Sequence, residues 1–319
     1  MPMSIKGEVT DPRLADLDSS IRNWLTSNRL VLNVDAFLGH GYLALCLRAW
    51  PDSTGARLDL AVRWAIWTWA ADDILDSALL DSDQAREFAA DVGRAISGGG
   101  LTGAIHPAVA ALVPLAMETR SLMPVEWWRK YQHEMSAWLS SATDRLARYV
   151  LPRRVPSLRA YQAIRPDDGG MLLAAAWCEL ATGCVTDVLD DPLVRVLLMT
   201  FSTVGYLAND LVADEGDVFT VVRALARTEG LSAEEAHGRA VALLAAELER
   251  WQYLCGVVQD DGEDGYTPPR LAMSPMGLET VVDTRRVARI FDQFLRALVE
   301  WTATSTRYAS VPAAAEAGA

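Results

Sequence analysis

Three carboxylates stand within about one helical turn at Asp72, Asp73 and Asp76, directly after the almost wholly apolar run 64–71. At about 3.6 residues per turn, Asp72 and Asp76 project from one helix face and Asp73 from its edge. Anions this close repel one another unless a cation neutralises them. Oxygen-only ligands suit a hard ion such as Mg²⁺, which takes one or two protein carboxylates and completes its shell with waters and phosphate oxygens. The pattern therefore offers a metal-held diphosphate, although an acidic, solvent-facing helix end has the same composition.

The same switch from apolar to acidic recurs at the end of the helical pattern 193–213, where Asn209 and Asp210 are followed by Ala213, Asp214 and Asp217. Positions 209, 213 and 217 are successive i, i+4 neighbours on a continuous helix, which predicts that Asn209 and Asp217 point the same way and share an ion. Two basic signals flank this segment. Arg165 precedes Pro166, Asp167, Asp168 and Gly169, and an Arg307-Tyr308 pair follows Trp301 near the C-terminus. Taken singly, each has an ordinary reading as a helix-end or surface ion pair.

Together these segments resemble the class I terpene synthases, whose bacterial members are single α-helical domains of about this length. In that family a DDxxD motif and a later NDxxSxxxE motif face each other across a cavity and bind three Mg²⁺. Asp72, Asp73 and Asp76 match the first motif without a change, and Asn209 and Asp210 match the start of the second. The resemblance implies that Arg165 senses the diphosphate, that Asp168 and Gly169 follow it at a helix break, and that Arg307 and Tyr308 hold the departing diphosphate. Gly169 is then expected to present a carbonyl that helps induce ionisation. The four signals keep the family's order over residues 64–308.

The second motif departs from the family pattern. Ala213 stands where the family has Ser or Thr, Asp217 where it has Glu, and Gly216 where a basic residue commonly sits. Ala has no ligand oxygen, so an ion there is expected to lean on water or on Asp214. Pro166 fixes its own backbone and disfavours helix at Arg165.

Once diphosphate leaves, an allylic carbocation remains, and it must be held in a dry cavity whose walls stabilise cations without attacking them. Aromatic faces do this. The chain has eleven tryptophans. Trp69 lies three residues before Asp72, Tyr206 three before Asn209 and Trp301 six before Arg307, so these three are expected to face the cavity. Trp64, Trp127, Trp128 and Trp251 read as core. The four histidines show no zinc-ligand spacing.

The elements that must carry these groups read as helices over 61–80, 84–96, 107–123, 125–149, 157–164, 171–182, 193–213, 233–255 and 284–308, from apolar residues recurring at three- and four-residue intervals. Strand signals are nearly absent. The breaks at 97–100, 152–156, 166–170 and 260–269 are too short for interdomain linkers. The expectation is an all-α, single-domain helical bundle over 1–311 with a central apolar cavity, followed by a disordered Ala-rich tail at 312–319.

Composition agrees: 51% of the 319 residues are hydrophobic and 22% charged, the balance of a globular chain. A net charge of −13 argues against a nucleic-acid surface. The four cysteines form no CxxC pair and read as reduced core thiols; with no signal-type run at 1–11 and no membrane-length apolar stretch, a cytoplasmic location is expected.

The expected reaction is Mg²⁺-dependent ionisation and cyclisation of a linear prenyl diphosphate, farnesyl or geranylgeranyl. A bicyclic copalyl-type substrate made by a partner enzyme stays open, as does a non-catalytic isoprenoid-binding role. An elongating prenyl diphosphate synthase would carry two full aspartate motifs, against which Asn209 weighs. No DxDD motif supports protonation-initiated cyclisation. The associations left open are a homodimer and an upstream prenyl diphosphate synthase or class II cyclase.

Overall fold

Helix α4, Gly55–Asp76, is apolar on every side rather than along one stripe, and that dictates its place. A helix without a polar face has to be surrounded. In the computed structural model α4 packs against α9, α6 and α3, with Trp64 and Trp67 fully buried. Each such side chain contributes about 1.5–3 kcal/mol by burial. Neither indole N–H is left unpaired: Trp64 donates to Thr119 Oγ1 and Trp67 to the Ala108 carbonyl, both at 2.8 Å.

The structure describes residues 11–76, 80–101, 105–185, 192–213, 216–260, 279–280 and 284–308. Around α4 the chain runs α1 Arg13–Asn28, α2 Val34–Leu38, α3 Tyr42–Ala49, α5 Ser82–Ser97, α6 Pro107–Leu122, α7 Val125–Arg145, α8 Leu158–Asp168, α9 Met171–Thr182, α10 Pro192–Asp210, α11 Val221–Glu229, α12 Ala233–Asp260 and α13 Thr284–Thr304. A 3₁₀ turn, Thr306–Tyr308, closes the described chain. The strand content among the described residues is one parallel pair of two-residue strands, Cys184–Val185 with Glu279–Thr280. The all-α expectation holds. The tail at 312–319 and most of the 260–269 loop lie outside the described residues.

Helices α5, α6, α9 and α12 begin within two residues of their expected starts, while three boundaries differ in ways that matter. Helix α4 starts six residues before 61. Helix α8 runs on to Asp168 with Pro166 inside it, so the expected break at Arg165 is wrong: Arg165 is helical, and the break falls at Gly169 and Gly170. Proline here removes only the bond to Gln162, and the Pro166 carbonyl accepts from Ser202 at 3.4 Å. Helix α10 stops at Asp210 instead of running to 213. Helices α1, α2, α3 and α11 were not anticipated.

Helix α7 does not end cleanly. It passes at Arg145 into a π turn, Leu146–Val150, in which the Leu151 N–H reaches the Leu146 carbonyl at 2.9 Å. The main core includes Leu139, Ala142 and Leu146, while Tyr149 belongs to a separate cluster with Tyr161, Phe219 and Leu225. All four cysteines are free thiols, three of them buried. Among the described residues no helix is long and apolar enough to cross a membrane.

Candidate active site

The last turn of α4 leaves the core at Asp72: Ala70 and Ala71 are buried, Asp72 and Asp73 half-buried and Asp76 exposed. The three carboxylates border a cavity of about 960 Å³. Asn209 and Asp217 border the same cavity, as do Arg165, Asp168, Gly169 and Arg307. Trp69, Tyr206 and Trp301, the three aromatics singled out by spacing, line it as well. Tyr308 lies in the closing 3₁₀ turn, and its side chain and Asp214 fall outside what is described.

The route by which Asp217 arrives corrects the sequence reading. Residues 209, 213 and 217 do not share a helix face, because α10 ends at Asp210. Asp210 turns inward there and organises the next element: its Oδ2 accepts the Val221 N–H at 2.8 Å and the Tyr161 hydroxyl at 2.6 Å. Asp217 stands in the following loop, where its Oδ1 accepts the Phe219 N–H at 2.8 Å.

Two arginines occupy the aspartate triplet. Arg307 lies 3.3 Å from Asp72 Oδ2 and 2.7 Å from Asp73 Oδ1, and donates to the Tyr42 hydroxyl at 2.5 Å. Arg145, absent from the sequence-based set, pairs through Nη2 with Asp76 and donates from Nε to Asp168 Oδ1 at 2.7 Å. Asp168 Oδ2 accepts from Arg165 Nη1 at 2.9 Å, and Arg165 Nη2 reaches Asp210 Oδ1 at 2.5 Å and Asn209 Oδ1 at 3.4 Å. A charge-paired chain thus joins the end of α4 to the end of α10. Arg145 had one visible signal: it shares the apolar stripe of α7 with Trp138 and Ala142.

Burial pushes the Asp72 carboxyl up to about 8; Asp76 adds to the rise, and Arg307 and Arg145 oppose it. Its side chain keeps 29% of its area exposed, where it borders the cavity. Burial likewise raises Asp73 and Asp210, against the pull of Arg307 and Arg165 respectively. At Arg145 and Arg165 burial opposes the charge, but their carboxylates hold both well above the ordinary arginine value. The buried Nε of Arg165 meets no acceptor among the described residues. Among the described residues this donor stays unpaired, on a side chain that lines the cavity.

The donor set fits a hard divalent cation better on one side than on the other. Three carboxylates at one end of the cavity are the ligands such an ion prefers. Among the described residues no three acidic, His or Cys side chains converge into a ready-made cage, since Arg307 draws Asp72 and Asp73 while Arg145 draws Asp76. On the other side Ala213 brings no oxygen, leaving Asn209 and Asp217.

The aromatic wall is continuous. Trp69 stacks on Tyr42 with ring centroids 4.3 Å apart, and stands 5.9 Å from Trp301 and 6.0 Å from Trp177. Trp138, Trp177 and Phe294 also line the cavity and were not anticipated, because their positions follow from helix packing and not from a motif. The turn before α3 is strapped to the C-terminal segment: the His40 carbonyl accepts from Trp301 Nε1 at 2.7 Å and Ser305 Oγ at 2.8 Å. Trp64, Trp127, Trp128 and Trp251 are buried in the core, as expected.

Residues 63–250, more than half of the chain, match the family described as terpene synthase family 2, C-terminal metal binding. The chain is 26% identical over 289 residues to the bonnadiene synthase of Allokutzneria albata, covering 85% of this chain and 74% of that protein. It is 23% identical over 253 residues to the pentalenene synthase of Streptomyces arenae, covering 76% and 75%. Among solved structures, the linalool/nerolidol synthase of Streptomyces clavuligerus superposes with a TM-score of 0.77 at 22% identity, over 94% of this chain and all of that one. The same enzyme in complex with 2-fluorogeranyl diphosphate gives 0.76 over 91% and 98%, again at 22% identity.

Proposed function

The chain belongs to terpene synthase family 2 and is a class I terpene synthase, and from that premise we propose that it ionises a linear prenyl diphosphate, farnesyl or geranylgeranyl, with Mg²⁺ and cyclises the resulting cation. The observation that carries this reading is the meeting of the α4 aspartates, Asn209, Arg165 and an aromatic wall around one cavity. Asp72, Asp73 and Asp76, with Asn209 and Asp217 opposite, would hold the ions, three in number. Bound Mg²⁺ supplies stabilisation of the charge that develops on the diphosphate oxygens as the carbon–oxygen bond breaks.

The protein's own groups do the rest. Arg165 donates to the diphosphate through its unpartnered Nε, while Asp168 fixes its orientation from the other edge. Arg307, paired here with Asp72 and Asp73, and Tyr308 would hold the departing diphosphate. Gly169, next to the helix break, presents its carbonyl to the reacting end of the substrate. Trp69, Tyr206 and Trp301 exclude water and offer ring faces to the carbocation.

The test is incubation with geranyl, farnesyl and geranylgeranyl diphosphates and Mg²⁺, followed by mass analysis of extracted hydrocarbons. A cyclic terpene from a linear substrate, dependent on Mg²⁺, is expected. Absence of diphosphate release from all three would refute the reading and point to a pre-cyclised substrate or a non-catalytic role.

A further inference from the structure

The chain of charges between α4 and α10 is unbalanced in an informative way. Asp76, Asp168 and Asp210 supply three carboxylates, whereas Arg145 and Arg165 supply two guanidiniums. The interior members are sealed: the side chains of Asp168 and Asp210 are each 1% exposed and that of Arg145 8%. The surplus carboxylate is Asp76, 44% exposed, at the end where a cation would arrive. Arg145 is anchored by the buried Asp168 through Nε at 2.7 Å and cannot follow Asp76 outward. A buried charge without its partner is costly, so Arg145 keeps Asp168 and yields Asp76.

We propose that Arg145 is a positioning residue that restrains Asp76 until a divalent cation displaces it, and that its link to Asp168 passes this change to Arg165. The proposal rests on the metal-dependent reading above and extends it to a residue outside the motifs. The link has three consecutive contacts. Freed from Asp76, Arg145 bears on Asp168 alone. Asp168 is shared with Arg165, whose other nitrogen is tied to Asp210 on α10. Occupation of the α4 half-site is thereby coupled to the arginine that meets the diphosphate.

The sign of the effect separates this role from a structural clamp. Removing a competitor for Asp76 tightens divalent-ion binding, while removing the link to Asp168 impairs turnover. A clamp lost from the fold would weaken both. Mn²⁺ titration followed by the electron paramagnetic resonance of the free ion, without substrate, is compared for wild type, Arg145→Gln, Asp76→Asn and the double variant. Arg145→Gln is expected to bind Mn²⁺ about fivefold more tightly and, at saturating Mg²⁺, to lose about tenfold or more in kcat. In the Asp76→Asn background the tightening disappears.

Arg145→Lys keeps a charge for Asp168 but has no fork to span both carboxylates. It is the variant to use if circular dichroism shows that Arg145→Gln does not fold, and it too is expected to tighten Mn²⁺ binding. Unchanged or weaker binding in the folded variants overturns the proposal, as does an equal tightening when Asp76 is already Asn. The metal arm needs no turnover, so a wild-type chain that released no diphosphate would refute the reaction and leave this arm to be judged separately.

Discussion

Gly169→Ala puts one methyl group at the joint between α8 and α10, and the structure gives its consequence. A Cβ there would lie 3.0 Å from the Arg165 carbonyl oxygen and 3.0 Å from Tyr206 Cβ. Neither neighbour can rotate aside, since one is backbone and the other the first carbon of its side chain. The two helices must part by a few tenths of an ångström, which costs about 1–3 kcal/mol as overpacking. They carry Arg165 and Asn209, whose polar atoms are 3.4 Å apart, and Arg165 and Asp210, at 2.5 Å. Displacement of groups that must meet a diphosphate lowers rates steeply, and a loss of about a hundredfold in kcat is expected. Gly230→Ala is the matched control. Its φ of +71 makes alanine cost about 1–2 kcal/mol, and no side chain or backbone lies within 4 Å of the new methyl. Diphosphate release and denaturant unfolding are measured on both. Gly169→Ala turning over within about twofold of wild type, or Gly230→Ala losing as much, would refute this reasoning.

Asp72→Ala or Asn209→Ala is expected to abolish turnover at saturating Mg²⁺ with the circular-dichroism spectrum intact; full activity in either overturns the site assignment. Because the folded Asp72 is pushed up to about 8 from an ordinary 3.8, between those values the metal-free protein holds a proton there that the unfolded chain releases. This group's contribution is full below about pH 4 and is lost as pH rises through about 8. Mg²⁺ binding needs the carboxylate, so it expels a proton below about pH 8, and stabilisation by Mg²⁺ grows as pH rises toward about 8 and then levels off. Calorimetry in buffers of different ionisation enthalpy measures the proton; equal apparent enthalpies would contradict it. In Gly205→Ala the new methyl would fall 2.3 Å from Met171 Cε and 2.4 Å from its Sδ. The flexible thioether swings into the cavity it already lines, and the kcat/KM ratio of farnesyl to geranylgeranyl diphosphate is expected to rise about tenfold.

Local chemistry made part of this site legible. A helix that turns from tryptophan to aspartate announces a cavity and its charged rim, and Trp69 was placed by counting back from Asp72. What was not legible arises from contacts distant in the chain. The i, i+4 reading of 209, 213 and 217 failed because Asp210 is claimed by Tyr161 and Val221, which ends the helix; periodicity cannot register a side chain that caps another element. Arg145 acquires its role only when folding brings Asp76 and Asp168 to it. Helices α2 and α3 span five and eight residues, too few for a periodic pattern to rise above chance. Pro166 does not break α8, since in the last turn it forfeits little hydrogen bonding.

The π turn after Arg145 has a consequence for how the chain tolerates change. A regular helix advances about 100° per residue, so one face serves one hydrophobic cluster along its whole length. Here the π turn meets two clusters at once, with Leu146 and Val150 facing the first and Tyr149 the second. The widened turn lets these five residues serve both. Deleting a single residue within 146–150 would restore an uninterrupted α-helix and set the two clusters out of phase. The same deletion near the exposed start of α7 would only shorten an end. Length along this helix is thus fixed to the residue where the π turn interrupts it, immediately beside the arginine that joins the two halves of the site.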